Sequence, residues 1–244
     1  MCIKELSFSE REELKKQNKE KFRRTNKIWN DKNLNQAWSV GYVNYIMKKM
    51  YEPYSIDDAL KISLEDWEKF YISFRGENKK LSGRTKKELM QIALKLQEYA
   101  AAEGIKLTKI EAYNFVLIRV IDESYKGFQN ELKVYKYLDE AYGGLEIEFS
   151  SLEDSKYAID LFVKADKDII LDAVQIKPIS FLKGCQNGVD YCVTAFIQND
   201  EKHQKYEELT GNRPYYIFYD DNDYYIYERE DIFRRKLWHY TMIF

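Results

Sequence analysis

Histidine is almost missing from this chain. Two residues, His203 and His239, are too few for a histidine-built zinc centre or a histidine–cysteine pair. The three cysteines, Cys2, Cys185 and Cys192, show no metal-ligand spacing and leave one thiol over in any disulfide scheme. Reduced thiols in the cytoplasm are therefore expected. No run of about 18 apolar residues occurs, so no membrane-spanning helix is expected. The opening Met1-Cys-Ile-Lys-Glu-Leu6 has no signal-peptide pattern. Internal repeats, low-complexity segments and flexible linkers are also missing. A net charge of −2 argues against indiscriminate binding to polyanions.

What is present is apolar and aromatic. With 244 residues, 45% of them hydrophobic, and 21 tyrosines and 13 phenylalanines, the chain can build one large domain or a core with an added lobe. Charge is segregated. Lys15 to Lys27 holds seven basic residues, among them Lys15, Lys16, Arg23 and Arg24, against one acid, Glu20. Lys79 to Lys87 contains Lys79, Lys80, Arg84, Lys86 and Lys87 with no acid, while Asp220, Asp221 and Asp223 cluster elsewhere. Such patches on a near-neutral protein suit arms that hold phosphates, and each also reads as a solvated helix face. Asn33, Asn35 and Gln36 crowd a stretch between Trp29 and Trp38. Amides of this kind can grip adenine edges, or can fill a polar loop.

Periodicity makes the first 125 residues mostly helical. Ser9 with Glu12 reads as a capping box, opening a helix to about Arg24. Val40 to Tyr51 is a packed helix, and Ser55 and Ser63 open two more. Thr85 to Ala102 carries Leu89, Ile92, Ala93, Leu96 and Tyr99 on one face and ends at Gly104. Thr108 to Tyr125 is apolar helix, and a separate helix follows from Gly127 to Leu138. Beyond it the chain turns β-rich. Leu145 to Phe149 alternates as a strand, and Tyr215–Tyr219 with Tyr224–Tyr227 forms a hairpin whose tyrosines pair across strands or stack bases. Pro178 to Leu182 reads as a strand end, Asp190–Ile197 as helix or strand, and Asp200–Leu209 as a polar helix closed by Gly211. Arg234-Arg235-Lys236 ends a helix or touches DNA.

The informative stretch lies between Tyr157 and Ser180. Two apolar, β-branched runs, Tyr157–Val163 and Ile169–Lys177, flank the polar Lys164–Asp168 and read as a hairpin. Asp160 interrupts the first run; Gln175 and Lys177 interrupt the second. Gln175 and Lys177 are two apart and share one face of a strand. A turn centred between Lys167 and Asp168 sets Asp160 opposite Gln175 on that face, while Asp172 projects from the other. A carboxylate and neutral oxygens suit Mg²⁺, and a neighbouring lysine can orient a water against a phosphodiester.

This pattern resembles the PD-(D/E)xK nuclease superfamily, with Asp160 matching its first acid and Lys177 its lysine. Gln175 stands where the family usually has Glu or Asp, and Ile159 rather than proline precedes Asp160. The family often adds a glutamate from an upstream helix, which Glu131 matches. The resemblance implies catalysis by Asp160, Gln175, Lys177 and Glu131, with Mg²⁺ on Asp160, Gln175 and Glu131. Size and helical N-terminal elaboration look like type II restriction endonucleases. The order of Trp67 helix, Glu131 helix, Ile159-Asp160 and Ile176-Lys177-Pro178 is similar to MjaI-type enzymes, which cut CTAG. The implied fold is α+β or α/β: a restriction-endonuclease-like mixed sheet flanked by helices, after a mostly helical N-terminal region. Residues 1–125 would serve DNA recognition and dimerisation, and 126–244 would form the nuclease core. The implied partners are double-stranded DNA, a second copy of the chain in a homodimer, and a cognate DNA methyltransferase; no membrane is involved. A structure-specific repair or junction-resolving nuclease, and an inactive nuclease-like DNA-binding module, are the alternatives.

Overall fold

Capping chemistry explains where most of the N-terminal helices begin. A computed structural model describes residues 5–151, 154–166, 169–220 and 224–226. The chain divides into two compact units, Met1–Gln129 and Asn130–Phe244. In the first, α1 (Phe8–Gln17), α2 (Lys19–Asp31), α3 (Ala37–Val40), α4 (Val43–Tyr51), α5 (Ile56–Ala59), α6 (Leu64–Ser73), α7 (Lys86–Ala102) and α8 (Lys109–Leu117) follow one another. A π-helical turn, Ile118–Asp122, then leads into α9 (Glu123–Tyr142). Ser55 and Ser63 cap α5 and α6, and Thr85 with Glu88 and Thr108 with Glu111 form capping boxes. Buried Trp29, Ile46, Trp67, Tyr71, Leu89, Leu96, Leu117 and Ile121 make the core of this unit. No helix among the described residues is long and apolar enough to cross a membrane.

Four expectations for this unit need correcting. The box at the start of α1 is Ser7 with Glu10, not Ser9 with Glu12. Buried Arg11, bidentate on Asp122 at 2.6 and 2.8 Å, anchors the first turn one step earlier, and the helix breaks at Asn18 rather than running to Arg24. Gly127 lies inside α9 and does not open a helix. Arg84, read as a phosphate contact, is 2% exposed. Its guanidinium is spent on backbone carbonyls, so it cannot meet a phosphate.

The second unit is a five-stranded mixed sheet in the order β1 (Glu146–Phe149), β2 (Leu161–Asp166), β3 (Ile169–Pro178), β4 (Tyr215–Tyr219), β5 (Tyr224–Ile226). Among the described strands only β3 and β4 run parallel. Parallel neighbours need a crossover, and α10 (Ile179–Gln186) and α11 (Asp190–Thr210) supply it. Val134 and Leu138 of α9 pack with Leu161, Val163, Val174, Ile176 and Ile217 on one face. Tyr206 of α11 packs with Ile159, Phe162 and Ala173 on the other. Both faces are covered, which is why the strand sequences read as continuous apolar runs.

Here too the boundaries shift. The segment after Pro178 is α10, not strand: proline's fixed φ of −66° with ψ 149° makes a helix N-cap. The two segments expected between Asp190 and Leu209 are one helix, α11, closed by Gly211 at φ 74°. The first run of the hairpin starts its strand at Leu161, because Asp154–Tyr157 is a 3₁₀ turn and Ala158 takes φ 58°. The turn at Lys167-Asp168, the tip and end of the second hairpin at 221–223 and Tyr227, and Arg234-Arg235-Lys236 lie outside the described residues.

Candidate active site at the open end of the hairpin

The pairing of β2 with β3 builds the site. Leu161 opposes Val174 and Phe162 opposes Ala173, and Asp160 stands just before this paired run. Two irregularities interrupt the ladder further along, at Lys164. The Asp160 N–H donates to the Val174 carbonyl at 2.8 Å. A strand residue's N–H and C=O point the same way, so Ile176, two residues on, also faces β2. Its N–H meets no backbone carbonyl there, because the chain has turned away at Ala158. It donates instead to Asp160 Oδ2 at 2.7 Å. Gln175 Nε2 donates to the same oxygen at 2.5 Å.

That bond fixes the Gln175 amide, since the reversed orientation would set oxygen against a carboxylate. Gln175 is 2% exposed, and its Oε1 is buried with no hydrogen-bond partner among the described residues. A buried acceptor left this way costs about 1–3 kcal/mol. Lys177 follows on the same face, half-buried and beside Phe218 of β4, with no hydrogen bond or ion pair among the described residues. Asp172 projects to the α9 face, where Tyr142 Oη donates to its Oδ2 at 3.3 Å.

Glu131 is half-buried in α9, one turn before Val134, which packs on the sheet. Tyr142 marks the level of Asp172, and Tyr135 stacks on Phe149, which pairs with Leu161. The structure thus joins Asp160 and Gln175 directly and sets Lys177 on the same face of β3.

Two residues that sequence reasoning passed over complete the surroundings. His203 of α11 is 1% exposed, and burial pushes its pKa down to about 4, so the ring is neutral. Its Nε2 lies 3.2 Å from the Ala158 carbonyl, which takes the N–H tautomer's proton. Ala158 holds a left-handed conformation that costs an L-residue roughly 1–2 kcal/mol. His203 therefore secures the turn that aims Asp160. Tyr216, beside Gln175 in the parallel register, packs 5.3 Å from the His203 ring, and burial raises its phenol's pKa. No local pattern in the sequence marks either residue.

The donor set fits Mg²⁺. One carboxylate and an unpartnered amide oxygen are hard ligands, and Mg²⁺ is commonly held by one or two carboxylates while keeping several waters. No group of three or more His, Cys, Asp or Glu able to hold a metal exists among the described residues.

The expected phosphate contacts are mixed. Lys16, Arg24 and Lys87 are exposed, and Arg24 reaches the Glu103 carbonyl at 3.3 Å. Arg23 pairs with Glu20 at 2.8 Å, Lys15 with Glu123 at 2.9 Å and Lys86 with Glu5 at 2.5 Å. Surface pairs of this kind are worth about 1 kcal/mol or less, so they do not withhold a cation from a phosphate. Asn33 sits in a turn at φ 53°, and Asn35 and Gln36 are exposed beside it.

A family model described as MjaI restriction endonuclease matches residues 25–221. No curated protein and no solved structure matches the chain.

Proposed function

The chain belongs to the MjaI restriction endonuclease family, and from that premise we propose that it is a Mg²⁺-dependent type II enzyme cutting double-stranded DNA at a specific site. The family membership carries the nuclease activity and the DNA substrate. The observation that carries the site is the Asp160–Gln175 pair, whose buried Gln175 Oε1 has no partner among the described residues. Asp160, Gln175 and Glu131 would hold the ion, which when bound supplies positive charge against the phosphate and acidifies water.

The chain's own residues do the rest. Asp160 Oδ2 is fixed by the Ile176 N–H and the Gln175 amide, so its carboxylate is positioned before substrate arrives. Lys177 brings an ammonium with no competing partner among the described residues. It orients the attacking water and offsets charge as it develops on the phosphate. Lys15, Lys16, Arg23, Arg24, Lys86 and Lys87 hold phosphates, and Asn33, Asn35 and Gln36 contact bases. The enzyme acts in the cytoplasm as a homodimer, since a palindromic site offers two identical half-sites, and a cognate DNA methyltransferase protects its host.

Digestion of plasmid DNA in Mg²⁺ tests the reading. Discrete bands with the wild type, lost in Asp160→Ala and Lys177→Ala, are expected. Nicking that follows DNA structure would turn the assignment to a repair or junction-resolving nuclease, and intact plasmid would leave a DNA-binding module.

A further inference from the structure

Two surface loops of the first unit are held more firmly than surface loops need to be. One runs from Asn35 through α3 to Tyr42, the other from Gly76 to Arg84. Arg84 donates from Nε to the Ser39 carbonyl at 2.7 Å and from Nη2 to Ala37 at 3.0 Å. Its Nη1 reaches the carbonyls of Ser82 at 2.6 Å and Lys79 at 2.8 Å in the other loop. Tyr71 Oη donates to the Val40 carbonyl at 2.7 Å, and the Tyr42 N–H to Lys80 at 2.8 Å. The backbones touch: a Cβ on Gly41, at φ 81°, would lie 2.5 Å from the Ser82 oxygen. A Cβ on Gly83 would lie 1.7 Å from the Tyr71 oxygen.

Burying a guanidinium among neutral carbonyls is a poor route to stability, since apolar residues of similar volume often serve as well or better. What Arg84 adds is fixed geometry. The side chains presented on that geometry are Asn35, Gln36, Lys79 and Lys80, all exposed, with Trp38 at 53% and Tyr42 at 40% exposure. Amides, apolar rings and cations together match the base edges, thymine methyls and phosphates of a duplex.

Resting on the nuclease reading above, we propose that this stapled loop pair is the edge that reads duplex DNA. Asn35 and Gln36 contact bases, Trp38 supplies the apolar contact, and Lys79 and Lys80 hold the flanking phosphates. Arg84 is a positioning residue that fixes both loops without touching DNA.

The test sequences the ends of digested genomic DNA and measures duplex binding in Ca²⁺ across a KCl series. Gln36→Ala and Trp38→Ala should lower the preference for the cut site over one-base variants by about tenfold or more. The double substitution Lys79→Ala/Lys80→Ala should bind more weakly, with the salt slope reduced by about 2. Arg84→Lys should relax site preference, whereas Leu96→Ala, a core truncation that also lowers Tm, should not. Wild-type ends and wild-type salt slopes in these loop variants would overturn the assignment. DNA left uncut by the wild type would refute the nuclease reading instead, and the salt slopes, which need no cleavage, would then decide the loops.

Discussion

Replacing Gln175 by leucine separates stability from activity. The substitution removes the Nε2–H bond to Asp160 Oδ2 at 2.5 Å. A hydrogen bond to a charged group contributes about 1.5–3 kcal/mol. Asp160 Oδ2 keeps the Ile176 N–H at 2.7 Å, so the carboxylate is not orphaned. The same substitution removes the buried, unpartnered Oε1, which relieves about 1–3 kcal/mol. The two terms oppose each other and are of similar size. Gln175→Leu is therefore expected to unfold within about 1 kcal/mol of the wild type, a Tm change of about 2–4 °C or less.

Cleavage should respond quite differently. Losing one oxygen at the ion removes part of a contribution worth several kcal/mol, so cleavage should fall about a hundredfold or more. Binding of Mg²⁺ is read independently by calorimetry. At tenfold excess over its dissociation constant the ion adds about 1.4 kcal/mol to the wild type, and Gln175→Leu should gain much less. Gln175→Glu sets a second carboxylate against Asp160, so it should melt earlier in EDTA, gain more than the wild type from Mg²⁺, and still cut. A leucine variant that cuts like the wild type, or takes the same stabilisation from Mg²⁺, would refute the reasoning and remove Gln175 from the ion.

Three further outcomes are expected. Lys177→Ala should abolish cleavage while leaving DNA binding in Ca²⁺ nearly intact, because affinity is spread over many phosphate contacts; a cleavage rate near wild type would take Lys177 out of the mechanism. Asp160→Ala should abolish activity and Asp172→Ala should not, since Asp172 faces α9 and Tyr142; the reverse result would move the site to the other face of the sheet. His203, with an ordinary pKa of 6.5 held down to about 4 in the fold, is protonated more readily once unfolded. Its contribution is complete above pH 6.5 and is lost as pH falls toward 4, amounting to about 2 kcal/mol by pH 5. Denaturant unfolding at pH 7 and pH 5 should show that loss, and His203→Gln, whose amide can still donate to Ala158, should flatten it.

The sequence by itself determined what depends on near neighbours. Capping residues at Ser55, Ser63, Thr85 and Thr108 act within one turn, so four helix starts were legible. Strand alternation has a period of two, so the sides taken by Asp172, Gln175 and Lys177 along β3 followed from counting. The helical N-terminal region and the β-rich region after it followed from where the periodicity changes, while the mixed character of the sheet was implied by the family resemblance. The places where counting failed are places where a distant group intervenes. Buried Arg11 and its Asp122 partner, 111 positions away, move the first helix start to Ser7. Arg84 looks like one more cation in a basic run until Ser39, 45 positions away, proves to be its acceptor. Only the fold puts His203 under the Ala158 carbonyl, again 45 positions distant, and leaves Gln175 Oε1 buried with no partner among the described residues. Local pattern says which side of an element a residue takes. Whether a polar atom there is solvated, satisfied or left open is set by what packs against it, and that is decided by long-range contacts alone.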